Sequence, residues 1–115
     1  MAEEEILLDN VREYLKQAKK AEEDLAYNSA TTLYFKAIAV LVDYFLLKQD
    51  GKIPNNHAER FDILRRKYPF LYKILDKDFP LYQNSYKLKL NKKYAELLKN
   101  DFKRIAELAK VEFDY

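Results

Sequence analysis

His57 is the only histidine in this chain of 115 residues, and it is the one side chain whose ordinary pKa lies near neutrality. It follows Asn55 and Asn56, with Lys52 five residues upstream and Arg60 about one helical turn downstream. Three interpretations stay open. His57 contacts a ligand or RNA, it acts as a catalyst with a second base or a phosphate-binding cation, or it caps a helix or packs under the neighbouring loop.

Tyrosine is abundant, with ten residues, and two pairs stand four apart beside basic stretches, Tyr68 with Tyr72 and Tyr82 with Tyr86. Tyr82 and Tyr86 precede four lysines, at positions 87, 89, 92 and 93. Interleaved aromatic and basic side chains suit single-stranded nucleic acid, because rings stack on bases and cations hold phosphates. The alternative is that tyrosines at helical spacing serve mainly as core packing, with the hydroxyl at its edge.

Several kinds of site are excluded by residue counts. There is no cysteine, so disulfides, thiolate zinc sites and thiol catalysis are impossible. A single glycine excludes the clustered glycines of dinucleotide or P-loop sites. One histidine and no Glu-x-x-His sequence argue against a metal centre, and we expect no cofactor. The closely spaced acids Asp76 and Asp78 flank a lysine and are not expected to form a buried acid–base pair.

Charge is distributed unevenly although the net charge is only +2. Residues 1–24 carry eight acids and four bases, whereas residues 85–104 carry seven bases and two acids. Residues 60–73 add a second basic stretch, with five bases and one acid. These stretches are either solvated helix faces or a basic surface that meets phosphate.

Apolar spacing predicts an all-α protein, because periods of three and four recur and no alternating run is long enough for a strand. Asn28 or Ser29 is expected to cap the second helix, Gly51 to end it, and Asn55 or Asn56 to cap the third. Pro69 and Pro80 are each expected to begin a short helix. The predicted helices are about 3–24, 29–49, 57–67, 70–76, 81–87 and 91–111.

The segment from Leu33 to Leu47 is apolar apart from Lys36 and Asp43. These two charges are either surface groups whose stems lie along a helix seam, or one wall of a polar groove facing the middle loop. The segment is shorter than the roughly 20 residues of a spanning helix, and the N-terminus is acidic, so we expect no membrane association and a cytoplasmic location. A helix this apolar needs extensive cover, which predicts a homodimer.

Residues 1–115 are therefore expected to form a single domain, an antiparallel up-and-down bundle of four to five helices. The order of its motifs resembles the HEPN superfamily, especially its small archaeal and bacterial members. The resemblance rests on Ala30-x2-Leu33-Tyr34-x2-Ala37-x6-Tyr44-x2-Leu47, then Lys52-x-Pro54-x2-His57 and Phe61, and on Tyr82-x3-Tyr86 before the final helix.

The resemblance implies a HEPN-like bundle that is usually dimeric. Members of the superfamily include ribonuclease toxins, nonenzymatic partners of small nucleotidyltransferases, and RNA- or nucleotide-binding modules. Its nucleases share an Arg-x(4–6)-His motif. Here the positions five to seven residues before His57 are occupied by Lys52, Gly51 and Asp50, and lysine lacks the planar fork that grips phosphate through two hydrogen bonds.

The sequence therefore predicts a noncatalytic HEPN-like protein. It would bind RNA or nucleotide, or act as partner of a small nucleotidyltransferase in a toxin–antitoxin-like pair. The alternatives are a bundle that only contacts other proteins, and a degenerate ribonuclease in which Lys52 replaces the arginine. The candidate binding residues are Lys52, Asn56, His57, Arg60, Tyr82 and Tyr86.

Overall fold

The computed structural model describes residues 2–115, and all of its regular structure in that range is helical. This confirms the predicted all-α class. The five helices are α1 (Glu3–Glu23), α2 (Tyr27–Asp50), α3 (His57–Lys67), α4 (Pro69–Asn84) and α5 (Lys92–Ala109).

The central helix of the core is α2. Its large apolar side chains are almost fully buried, and α1, α4 and α5 all pack against it. By length and composition, α2 is the one helix in the described range that could cross a membrane, but 61% of its most apolar stretch is buried inside this protein. That burial is the property of a core helix. The sequence predicted that a second chain would cover the apolar surface of α2. Most of that surface is covered by other helices of the same chain.

Two side-chain pairs define how α1 and α2 lie together. Near one end, the Tyr34 hydroxyl donates to the Glu22 carboxylate at 2.6 Å, and near the other, Lys48 lies 3.7 Å from Glu4. Chain order reverses between the two pairs, so the helices run antiparallel. The turn between them contains Leu25, which has a left-handed backbone with φ 61°.

The sequence placed two short helices where the structure has one. Residues 70–76 and 81–87 were expected as separate helices around Pro80, but α4 continues through Pro80 to Asn84. Pro80 cannot donate a hydrogen bond to the carbonyl four residues back, yet its ring lies on the exposed side of the helix. Burial of Leu71, Ile74 and Leu75 on the opposite side keeps α4 docked on the core.

The predicted cap of α2 was also wrong. The helix begins at Tyr27 with no side-chain cap, and Asn28 instead bonds to the loop between α4 and α5. Its amide nitrogen donates to the carbonyls of Ser85 (2.9 Å) and Leu88 (2.6 Å), and its oxygen accepts from the Leu90 amide (2.8 Å). One asparagine thereby holds a distant loop against the start of α2.

The start of α3 follows the sequence prediction. Gly51 ends α2 in a left-handed conformation with φ 75°, which glycine adopts without steric cost. Asn56 caps α3 by accepting the Glu59 amide at 2.8 Å. These two local signals place His57 and Arg60 in the first turn of α3, against the side of α2.

Candidate functional site

The candidate residues lie along one surface formed by α2, the start of α3 and the end of α4. The structure brings His57, Arg60 and Tyr82 together, and Tyr86 adjoins Tyr82. Lys52 and Asn56 lie beside this group and bond to the first turn of α3. Three helices and the loops beside them, separated in sequence, therefore contribute to one site.

An ion pair between Arg60 and Asp43 forms the base of the site. Arg60 Nε donates to Asp43 Oδ1 at 2.7 Å, and Arg60 Nη2 donates to Asp43 Oδ2 at 2.8 Å. Both side chains are about nine-tenths buried. Asp43 is thus not a surface group, and it forms a polar wall of α2 that faces α3. Arg60, expected at the surface, is committed to Asp43 and is not free to grip a phosphate.

The remaining guanidinium nitrogen of Arg60, Nη1, determines the hydrogen bonding of His57. Arg60 Nη1 lies 2.7 Å from His57 Nδ1. A guanidinium only donates, so Nδ1 accepts, and we assign the neutral tautomer with its proton on Nε2. Nε2–H is then a hydrogen-bond donor, not a base. The arrangement suits His57 for holding an acceptor such as a phosphate or carbonyl oxygen.

The electrostatic surroundings also keep His57 neutral. Partial burial, and next the nearby Arg60 cation, hold the pKa of His57 below its ordinary value. Asp43 opposes this shift, and Lys36 adds to it. His57 is therefore expected to be uncharged at neutral pH.

An aromatic cluster surrounds the imidazole. The ring centre of Phe79 lies 5.3 Å from that of His57, and Tyr82 lies 6.3 Å away. Tyr82 stacks on Phe35 with centres 4.8 Å apart and planes at 17°. Tyr86 meets Tyr82 edge to face, and their hydroxyls lie 3.1 Å apart, a contact that raises the pKa of Tyr82.

The two tyrosines differ in exposure. Tyr82 is half-buried within the cluster, whereas Tyr86 is 71% exposed. Beside Tyr86 is an open cavity of about 360 Å³, lined by polar side chains of α2 that include Ser29 and Thr32. That volume is at the lower end of small-ligand pockets. The exposed ring of Tyr86 is the surface of this cluster on which a flat group could stack.

Lys52 and Asn56 have local structural partners. Lys52 lies 4.0 Å from Glu59 and its side chain is 74% exposed, so this pairing is weak and the ammonium stays accessible. The Asn56 oxygen is used in capping α3. Asn56 therefore positions the first turn that holds His57, while Lys52 is available to an anion.

Lys36 is a residue of the site that the sequence analysis did not select. It is half-buried on α2 one residue after Phe35, and it is close enough to His57 to lower the histidine's pKa. In residues 2–115 no ion pair within 4.0 Å involves it. A lone lysine in an apolar helix was a signal in the sequence, but its proximity to His57 depends on the loop after α2.

A buried carboxylate pair lies away from this surface. Asp78 on α4 is fully buried and Asp101 on α5 is 4% exposed, contrary to the expectation that Asp78 would not belong to a buried pair. Burial and the neighbouring Asp101 raise the pKa of Asp78 to about 8. Lys77 Nζ lies 2.8 Å from Asp101 Oδ2, but the angle between them does not allow a hydrogen bond. No group of three or more potential metal-binding side chains occurs in residues 2–115.

Another cavity, of about 630 Å³, lies between α1 and the C-terminal segment. Its rim mixes cations such as Lys16 and Lys20 with the acids Glu23 and Glu112, and it includes none of the candidate residues. Mixed charge favours no particular ligand. The aromatic and cationic surface around His57 is therefore the better candidate site.

Comparison with known proteins provides no further assignment. No family model matches this chain, and no curated protein or solved structure matches it significantly.

Proposed function

We propose that this chain is a noncatalytic, cytoplasmic, HEPN-like protein with an antiparallel up-and-down bundle of helices. It binds single-stranded RNA, or a nucleotide as the smallest unit of it, and it self-associates as a homodimer. The RNA surface consists of Lys36, Lys52, His57, Tyr82 and Tyr86. Arg60 and Asn56 position these side chains.

The observation that carries this proposal is the juxtaposition of a neutral donor, an exposed ring and accessible cations. His57 Nε2–H can donate to a phosphate oxygen. Lys36 and Lys52 supply positive charge and do not compete with His57 for that oxygen. Tyr86 offers its ring to a base, a contact that every base can make. Separate phosphate and base contacts on one surface suit an unpaired strand, whose bases are free to leave the stack.

Bonding at Nδ1 supports a noncatalytic role. A general base at His57 would need a free ring nitrogen directed at the substrate, but Arg60 occupies the accepting nitrogen. A general acid would need an imidazolium, whose Nδ1–H would oppose the Arg60 guanidinium. Lys52 as a substitute for the nuclease arginine does not relieve either conflict.

A second candidate is a protein partner such as a small nucleotidyltransferase. It is favoured by apolar side chains at the surface, since Leu25 is 69% exposed and Leu88 is 56% exposed. Capture of a nucleotidyltransferase by the tagged protein after nuclease treatment would support this candidate. Loss of every protein partner on nuclease treatment would favour RNA binding.

The RNA proposal is tested by fluorescence anisotropy with a labelled single-stranded RNA and with a duplex of the same sequence. We expect the single strand to bind more tightly, and its affinity to fall as salt rises. Tyr86→Ala should weaken binding by about 5- to 100-fold if one base stacks on the ring. Lys36→Met should weaken binding and reduce the salt dependence.

The matched controls are Phe70→Ala and Lys73→Met, which remove an exposed ring and an exposed cation from the first half of α4. They should bind like the wild type, and the RNA should stay intact throughout. Equal binding by Tyr86→Ala and the wild type, or affinity independent of salt, would contradict the proposal. Cleavage lost on His57→Ala would favour the ribonuclease alternative.

A further inference from the structure

The cavity beside Tyr86 lies between the first turns of α2 and the turn that follows α4. Ser29 and Thr32 bring two hydroxyl groups to its lining, and Tyr86 brings its exposed ring. All six lining residues are uncharged. We call this cavity the Thr32 pocket. Its lining suits a neutral polar group better than a phosphate.

Two linked hydrogen bonds determine how the Thr32 hydroxyl can bond to a ligand. Ser85 Oγ lies 2.6 Å from the Tyr82 carbonyl oxygen, which can only accept, so Ser85 donates its single hydroxyl proton there. Thr32 Oγ1 lies 2.7 Å from Ser85 Oγ and therefore has to be the donor in that bond. Because the Thr32 proton is used in this way, only the lone pairs of its oxygen remain. Thr32 is thus an acceptor toward the pocket.

The loop that carries Ser85 does not depend on Thr32 for its position. Asn28 donates to the carbonyls of Ser85 and Leu88 at 2.9 and 2.6 Å, and it accepts from the Leu90 amide at 2.8 Å. These three hydrogen bonds already hold the loop against the start of α2. The hydroxyl at position 32 is therefore free to serve a ligand without loss of the local structure.

Thr32 lies between the ring and one of the cations of the proposed RNA surface. Thr32 and Lys36 are four residues apart on α2, so they share a face of the helix and are separated by about 6 Å along its axis. Thr32 also lines the same pocket as Tyr86. The surface therefore offers a ring, then a hydrogen-bond acceptor, then a cation. A nucleotide presents its base, sugar and phosphate in the same order.

The sugar is the part of the nucleotide that differs between RNA and DNA. Stacking on Tyr86 and attraction to Lys36 are available to both nucleic acids, because both have bases and phosphates. The ribose 2′-hydroxyl can donate a hydrogen bond, and deoxyribose has no such group. An acceptor at the position of the sugar is satisfied by ribose and faces only a C–H group in DNA.

We propose that Thr32 accepts a hydrogen bond from the ribose 2′-hydroxyl of the nucleotide whose base stacks on Tyr86, and that this contact selects RNA over DNA. The inference rests on the proposed RNA binding and adds its specificity. Tyr86 and Lys36 supply affinity for either nucleic acid, and Thr32 supplies the preference for ribose.

The test is fluorescence anisotropy of the full chain with three labelled single strands: oligouridine RNA, the deoxyuridine strand of the same length, and the 2′-fluoro strand. The 2′-fluoro sugar keeps an RNA-like shape but cannot donate a hydrogen bond. We expect the wild type to bind RNA about 3- to 10-fold more tightly than either of the other strands, which is the value of one neutral hydrogen bond.

Variants at position 32 assign this preference to one oxygen. Thr32→Val keeps the shape of the side chain without the hydroxyl, and it should bind all three strands as weakly as the wild type binds DNA. Thr32→Ser keeps the oxygen and should retain the preference for RNA. Lys73→Met removes an exposed cation in the first half of α4 and should match the wild type on every strand.

The outcomes separate this inference from the proposed function. Equal binding of RNA and DNA by the wild type, with the salt dependence and the loss in Tyr86→Ala still present, would overturn this inference alone. It would also fail if 2′-fluoro RNA bound as tightly as RNA, or if Thr32→Val still preferred RNA. Equal weakening of RNA and DNA binding in Thr32→Val would show a purely structural role. Absence of binding to any strand would overturn the proposed function together with this inference.

Discussion

The core contains two sites with buried aspartates, and the two accommodate a buried carboxyl group in different ways. Asp43 on α2 is met by both nitrogens of the Arg60 fork, at 2.7 and 2.8 Å. Asp78 on α4 is more deeply buried, but its nearest charged groups are another carboxylate, Asp101, and Lys77 at 3.8 Å. The Asp43 site is an ion pair in which the guanidinium and the carboxylate match in shape. The Asp78 site brings two carboxyl groups together, with one lysine beside them.

The neighbours of a buried carboxyl group determine whether it is ionised or protonated. Neither oxygen of Asp78 accepts a hydrogen bond within the described residues, and its pKa is raised to about 8 by burial and by Asp101. A protonated Asp78 relieves both costs, because it is uncharged and can donate to Asp101. The Asp43 pair, in contrast, uses its charge to fix Arg60, which in turn orients His57. Only the Asp43 site is coupled to the candidate surface.

Removing the guanidinium should have the largest effect. Arg60→Met leaves Asp43 buried without a partner and should reduce the free energy of unfolding by about 3–5 kcal/mol. The double variant Asp43→Leu with Arg60→Met should recover most of that loss, because no charge stays buried. Urea denaturation measures both, with Arg65→Met as an exposed control. A loss under about 1 kcal/mol for Arg60→Met would show that the pair is solvated.

Neutralising Asp78 should raise the free energy of unfolding, which is the opposite of the effect expected for Arg60→Met. Asp78→Asn mimics the protonated acid and should stabilise the protein by about 1–3 kcal/mol above pH 8. The folded chain keeps this proton up to about pH 8, whereas the unfolded chain loses it near the ordinary value of 3.8. Wild-type stability from this group therefore declines as pH rises between those values.

The pH dependence separates this effect from a change in packing. The advantage of Asp78→Asn should shrink as the pH falls and disappear below about pH 3, where wild-type Asp78 is protonated in both states. Thermal unfolding from acid to alkaline pH measures it, with Asp76→Asn as the exposed control. A stabilisation that does not vary with pH would refute the protonation of Asp78 in the folded chain.

A smaller effect is expected at the start of α3. Asn56→Ala removes the acceptor of the Glu59 amide and should reduce stability by about 1 kcal/mol. The same change loosens the first turn, so RNA affinity should fall although Asn56 need not touch RNA. Asn56→Ser, which keeps a capping oxygen, should restore both properties. If the serine variant is stable but still binds weakly, Asn56 contacts the ligand directly.

The sequence was most informative where structure depends on neighbours in the chain. Gly51 and Asn56 predicted the end of α2 and the start of α3, because helix caps depend on the backbone within a few residues. Pro80 was misleading for a related reason. Its local preference to begin a helix is overridden by the buried face of α4, which is a tertiary effect.

Contacts between distant residues could not be read in the same way. Arg60 was a surface candidate until Asp43, seventeen residues earlier, was found to hold it. Asp78 was judged by its neighbour Asp76, whereas its true partner is Asp101 on another helix. Lys36 was noticed as a charge in an apolar helix, but its relation to His57 required the loop between α2 and α3.

The most direct test concerns the single imidazole that the Asp43–Arg60 pair orients. Because the chain has one histidine, a long-range proton–nitrogen correlation spectrum reports His57 without ambiguity. We predict the neutral form with Nε2 protonated and Nδ1 accepting, titrating below the ordinary value of 6.5. Asp43→Asn should disturb this signature, and Asp78→Asn should leave it unchanged. A proton on Nδ1 at neutral pH, or titration above 6.5, would contradict the account.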